Sequence, residues 1–232
     1  MQISGSIALV TGANRGLGRE FAHQLLARGA TKVYATARRP ELVDIPGAEV
    51  LALDITDPGS VEAAAAVATD VTLLVNNAGV TTGANLVGGD LDLLRREMDT
   101  HFWGTLRMVR AFAPGLAGGA ILNVLSALSW FAHDGAGGYG AAKAAEWSLT
   151  NGVRLELAAQ KTLVTGLHLG AADTDMMAWY DGPKTDPAVV VRAALDGIEQ
   201  DQIEVLADEW SAQAKAALAE DPSKFYAALN AG

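Results

Sequence analysis

The chain contains no cysteine, which excludes disulfides, thiol nucleophiles and cysteine-ligated metals. Its four histidines are scattered and share no ligand spacing, so no metal site is expected. Positive charge is scarce: 17 Lys and Arg stand against 27 Asp and Glu, for a formal net charge of −10 and a sequence pI near 4.8. That balance argues against nucleic acid or an anionic membrane as a partner. No apolar run reaches the roughly 18 residues of a membrane span. The first residues lead straight into a strand-like segment without a charged-then-apolar leader. A soluble, cytoplasmic protein is expected.

What is present is an ordinary globular composition, 50% hydrophobic and 19% charged over 232 residues, enough for one α/β domain with a sizeable core. Short β-rich runs alternate with longer helical patterns. Strands are expected near 6–11, 32–36, 49–53, 72–75, 120–125, 162–168 and 203–206, and helices near 16–29, 59–68, 91–117, 139–159, 187–199 and 211–220. Gly29 suits a helix C-terminus. Pro58 and Pro187 sit where a helix starts, a position that tolerates proline. The alternation predicts a single Rossmann-type domain over 1–232, a doubly wound parallel sheet of about seven strands with helices on both faces.

Two stretches carry chemistry. The first runs from an apolar strand (Ile7 to Val10) into Thr11-Gly12-Ala13-Asn14-Arg15-Gly16-Leu17-Gly18 and then an amphipathic helix. Glycines at 12, 16 and 18 allow a tight turn and bring bare backbone close to a ligand. The helix that follows offers free N–H groups and a positive dipole end to a pyrophosphate. The second stretch, Asn123 to Lys143, places Ser126 at the end of an apolar run and Tyr139 at a helix start. Lys143 follows four residues later on the same helix face. An ammonium beside a phenol is expected to pull its pKa down from roughly 10.

In order and spacing, TGANRGLG at 11–18, LDITD at 53–57, NNAG at 76–79, Ser126, YGAAK at 139–143 and LGAADTDM at 169–176 resemble the short-chain dehydrogenase/reductase family over nearly the whole chain. The resemblance implies hydride transfer between a nicotinamide and a carbonyl carbon. Tyr139 would act as proton donor, Ser126 would steady the oxygen, and Lys143 would hold the nicotinamide ribose. It also implies that Asn14, Leu17, Asn77, Ala78 and Gly79 wall the cofactor. Asp54 and Ile55 would take the adenine, Gly170 would border the cofactor, and Thr174 would reach the nicotinamide carboxamide. At the end of the second strand, Arg38 and Arg39 stand where an acidic residue would bind the 2′-hydroxyl of NAD. Arg15 joins them at a position that is often basic in NADP-preferring members. The expected cofactor is therefore NADP(H).

Two positions depart from the family pattern. Leu169 replaces a proline, and His101 stands where asparagine usually supports a water beside the lysine. The imidazole either relays protons, helped by a near-neutral pKa, or fills space. Leu128, Met176, Met177 and Tyr180 are candidates for the substrate wall, with Trp130, Phe131 and Trp179 nearby. They suggest a hydrophobic aldehyde, ketone or alcohol unless they only pack the lid. The long helices 91–117 and 139–159 are the family's usual subunit contact, so a homodimer or homotetramer is expected. The reading is NADPH-dependent reduction of a ketone or aldehyde, reversible to alcohol oxidation. Its alternative is an NADP-binding regulator without turnover.

Overall fold

The computed structural model describes residues 1–230. Seven parallel strands form one sheet: β1 (Ile7–Thr11), β2 (Lys32–Ala37), β3 (Glu49–Ala52), β4 (Leu73–Asn76), β5 (Ala120–Val124), β6 (Leu163–His168) and β7 (Glu204–Leu206). Their order is β3-β2-β1-β4-β5-β6-β7. The chain winds outward from β1 in one direction and from β4 in the other, so a crevice opens beyond the C-terminal ends of these two strands.

Period-2 alternation assigns the two faces of the sheet. Ala8, Val10, Leu73, Val75, Ala120 and Leu122 point into one core, with Phe21 and Leu25 of α1 (Gly16–Ala27) and Val190, Val191 and Leu195 of α6 (Pro187–Glu199). Leu9, Leu74 and Ile121 point into the other core. There they meet Val61 of α2 (Pro58–Val67), Met108 and Phe112 of α4 (Thr105–Phe112), and Leu149 and Val153 of α5 (Gly137–Glu156). Local chemistry fixes several helix starts. Asp57, Asp90 and Asp186 each accept from the backbone N–H two residues on, ahead of α2, of α3 (Leu91–Met98) and of α6.

The expected helix over 91–117 is broken. Between α3 and α4, Asp99–Gly104 forms a π turn, and α4 ends at Phe112. A π turn inserts one residue without changing which residues are apolar, so the periodicity of the sequence hides it. Gly104 has no room for a side chain, because a Cβ would lie 2.8 Å from Ile55 Cδ1. The helix read at 211–220 runs over α7 (Glu209–Ala217), capped by Asp208. A further helix, α8 (Pro222–Asn230), was not expected. Phe225 brings it onto Phe131 and Trp210, with ring centroids 5.1 and 6.3 Å away. No helix among the described residues is long and apolar enough to cross a membrane.

Candidate active site

A cleft of about 820 Å³ lies at the crevice where the sheet reverses direction. One wall is the glycine loop. Gly12 and Gly16 take left-handed φ values of 69° and 53°, which side chains disfavour. A Cβ on Gly18 would collide with Gly12 O, so this glycine packs α1 against the loop and does not reach the cleft. The loop is tied to the segment after β4: Thr11 Oγ1 accepts from the N–H of Asn77 (2.9 Å) and Ala78 (3.0 Å), and Asn77 Nδ2 donates to Thr11 O (2.9 Å). Asn14, Arg15, Leu17, Arg38, Arg39, Asp54, Ile55, Gly79, Gly170 and Thr174 all border the same cleft. Asp54 has one carboxylate oxygen engaged, accepting from Thr56 N and Oγ1 at 2.9 and 2.7 Å.

Among the described residues Arg38 and Arg39 make no ion pair, while Arg15 meets Asp175 across the mouth at 3.3 Å between exposed side chains. Two unpaired guanidinium groups, bare loop backbone and a helix N-terminus form an anion-binding cradle. The fit to a phosphorylated dinucleotide is good.

The opposite wall is the drier one: Lys143, Glu146 and His101 are buried, while Tyr139 is partly exposed to the cleft. Ser126 follows β5, where its Oγ accepts from Leu128 N at 3.1 Å, and it lines the same cleft as Tyr139. Ser129 sits outside the cleft, its Oγ receiving Ser126 N at 3.4 Å. Tyr139 lies in the first turn of α5, with Lys143 one turn further on. The lysine donates 2.7 Å bonds to Val124 O and to Glu146 Oε2, and Thr105 Oγ1 donates to Glu146 Oε1 at 2.8 Å. The π turn brings His101 edge-on to Tyr139, with ring centroids 5.2 Å apart. Its Nε2 lies 2.7 Å from Val80 O, which requires that this nitrogen carry the proton. Nδ1 is left as an acceptor 3.8 Å from Glu146 Oε2. Gly79 makes room for this ring, because a Cβ there would lie 2.8 Å from His101 Cε1.

Burial governs ionisation on this wall, and two expectations are corrected. Tyr139 ionises above, not below, the usual phenol range: burial opposes the phenolate, and the opposing pull of Lys143 is insufficient. His101 lies well below the ordinary imidazole value because burial and the Lys143 charge both disfavour its cation, so it stays neutral. Burial also works against the Lys143 ammonium, but the Glu146 carboxylate outweighs it and Lys143 remains charged.

Of the residues expected on the substrate wall, Met176 and Met177 border the cleft; Leu128 and Tyr180 do not. Leu128 packs with Ala127 and Phe131, and Tyr180 lies against Trp179 with ring centroids 5.9 Å apart. Trp130 stacks on His168 at 3.8 Å behind the serine, so it packs the core. The lid is clipped at its base by Thr185, which exchanges backbone bonds with Ala171 and Asp173. Glu146 escaped the sequence reading, although a carboxylate three residues after Lys143 on an alanine-rich face was a visible signal. Asp208 escaped as well. It accepts from Gly170 N at 2.7 Å, anchoring the loop where Leu169 replaces proline.

These features place the chain among dinucleotide-binding oxidoreductases of the doubly wound type. The sequence profile of the short chain dehydrogenase family matches residues 6–182, and the chain belongs to that family. It is 34% identical over 189 residues to the 3-oxoacyl-[acyl-carrier-protein] reductase FabG of Vibrio cholerae, covering 76% of this chain and 77% of that one. It is also 34% identical over 194 residues to the NADPH-dependent 1-acyldihydroxyacetone phosphate reductase of Schizosaccharomyces pombe, covering 78% and 64%. Among solved structures, a short chain dehydrogenase from Burkholderia cenocepacia in complex with NADP superposes with a TM-score of 0.95. That protein is 39% identical, with 99% of both chains covered.

Proposed function

We propose that this protein is an NADPH-dependent reductase of a hydrophobic ketone or aldehyde, running in reverse as an alcohol dehydrogenase. The observation that carries the reading is the convergence of Ser126, Tyr139 and Lys143 on the dry wall of a cleft whose other wall presents Arg38 and Arg39. NADP(H) is supported by those arginines and by the NADP complex of the Burkholderia relative. The cofactor, when bound, supplies the hydride. Tyr139 is protonated at neutral pH, because burial opposes the phenolate, and so has a proton to give to the developing alkoxide. Ser126 orients the carbonyl oxygen toward the phenol, and the Lys143 ammonium stabilises the phenolate left behind and anchors the ribose. Met176 and Met177 make the substrate wall apolar. A cytoplasmic homo-oligomer belongs to the same reading: Leu155 on α5 and Trp103 on the π turn are 79% and 49% exposed, apolar surface that a second copy would cover.

A panel of aldehydes and ketones, followed by loss of NADPH absorbance, tests the activity. Tyr139→Phe keeps the ring and removes the acid. Turnover should fall by about 10²–10⁴ with NADPH affinity little changed. A phenylalanine variant within a few-fold of the parent would remove Tyr139 from the mechanism.

A further inference from the structure

Glu146 is an expensive residue to keep where it is. Its side chain is 3% exposed and lies at the junction of α5, α4 and the π turn. An unpaired carboxylate there would be strongly destabilising. It is fully engaged instead, with Oε2 on Lys143 at 2.7 Å and Oε1 on Thr105 at 2.8 Å. Packing alone does not explain a charge at this place, since an apolar side chain would fill the same volume without the cost of desolvation.

Its effect reaches Tyr139. The Lys143 ammonium stands 5.8 Å from the Tyr139 ring centroid. Alone, such a cation favours the phenolate. With Glu146 bound to it, the phenol faces a neutral pair whose negative end disfavours a second anion. Of the other groups facing Tyr139, only Glu97 acts in the same direction, and its effect ranks below that of Glu146. His101 is neutral, with its proton directed to Val80 O. Ser126 bears no charge. Glu97, approaching from α3, has Oε1 occupied by Thr82 N and Oγ1 at 2.7 and 2.9 Å, while its buried Oε2 has no partner among the described residues. Around the Glu146 carboxylate the polar neighbours among the described residues are Lys143, Thr105 and the His101 ring.

We propose that Glu146 is a positioning residue that partners Lys143 and thereby sets the pH at which Tyr139 gives up its proton. This rests on Tyr139 being the proton donor. Removing the carboxylate takes away the negative end that disfavours the phenolate, and for as long as Lys143 keeps its proton an opposite charge at this range lowers an acid by about one to three units. The same change weakens the lysine's hold on its own proton, which burial opposes. The raised ionisation of Tyr139, to which Glu146 contributes after burial, agrees in direction.

The test is a tyrosinate absorbance titration of the cofactor-free protein, differenced against Tyr139→Phe so that only this phenol is read. In Glu146→Gln, which keeps shape and the Thr105 bond, the midpoint should fall by at least about one unit. The rising limb of alcohol oxidation against pH should move down with it. Thr105→Val, which leaves the carboxylate but strips its hydroxyl donor, should shift the midpoint the same way by less. If the glutamine variant fails to fold, Glu146→Met carries the same expectation. A midpoint unchanged or raised in the folded variants overturns the proposal. The titration needs no turnover, so it stands apart from the Tyr139→Phe activity test: an active phenylalanine variant would end the proton-donor reading while the shift in the phenol could still be measured.

Discussion

On the glycine-loop wall Arg38 and Arg39 stand without ion pairs among the described residues, and Arg15 spans to Asp175 through exposed side chains. On the facing wall, Lys143 is 5% exposed and both its polar contacts are filled from within the protein. The same kind of charge is thus handled in two ways a few residues apart in space. The open wall leaves its cations exposed, free to meet a phosphate. The dry wall fixes its cation in advance and uses burial to decide which groups ionise. A ligand can be captured by the first arrangement, whereas proton transfer needs the second.

The comparison can be broken first from beneath the dry wall. His168 is fully buried, stacked on Trp130, with Nδ1 3.0 Å from Ser126 O, and burial lowers its pKa to about 4. Because the folded value lies below the unfolded one, its contribution is fully present above roughly pH 6.5 and is lost as pH falls toward 4. Urea unfolding should show about 3 kcal/mol less stability at the acid end from this residue. His168→Asn should flatten that slope; an equally steep slope in the variant would mean that the ring is not held neutral.

The open wall is challenged by reversing its charge. Each charged phosphate contact contributes about 1.5–3 kcal/mol, so Arg38→Asp should cut the preference for NADPH over NADH by at least about tenfold. Fluorescence titration with both cofactors measures this, and an unchanged preference would place the phosphate elsewhere. The smallest effect sharpens the contrast. Since His101 is neutral, His101→Asn should change turnover by only a few-fold and leave the pH profile superposable on the parent's between about pH 6 and 8. An inflection lost in the variant would show that the imidazole titrates and that water reaches this wall.

Much of the open wall was legible in the sequence. Glycines at left-handed positions, arginines after a strand and the NNAG turn act through backbone shape and charge, which residue type and spacing record directly. The seven strands were also readable, because alternation along each run matches one face or the other. The dry wall was only half legible. Ser126, Tyr139 and Lys143 follow from spacing, but the direction in which Tyr139 and His101 shift depends on burial by residues from α3, the π turn and α5 together. The π turn leaves no trace in the periodicity, and Leu128 packs against the cluster of Ala127, Phe131 and Ala214, whose last member lies far along the chain. Helix α8 was missed for the same reason: its anchoring partner lies about 90 residues upstream.

The close approach of His101 Cε1 to Gly79, where a Cβ would sit only 2.8 Å away, has a consequence for how these two positions can vary. While the imidazole is in place and held at Val80 O, any side chain at position 79 would have to displace it. Once the ring gives way to a shorter residue, alanine at 79 becomes admissible. Substitutions at the pair are therefore epistatic, with the change at 101 easing the change at 79. A library that varies the two sites one at a time from the present sequence would record Gly79 as immutable and miss the route that runs through residue 101.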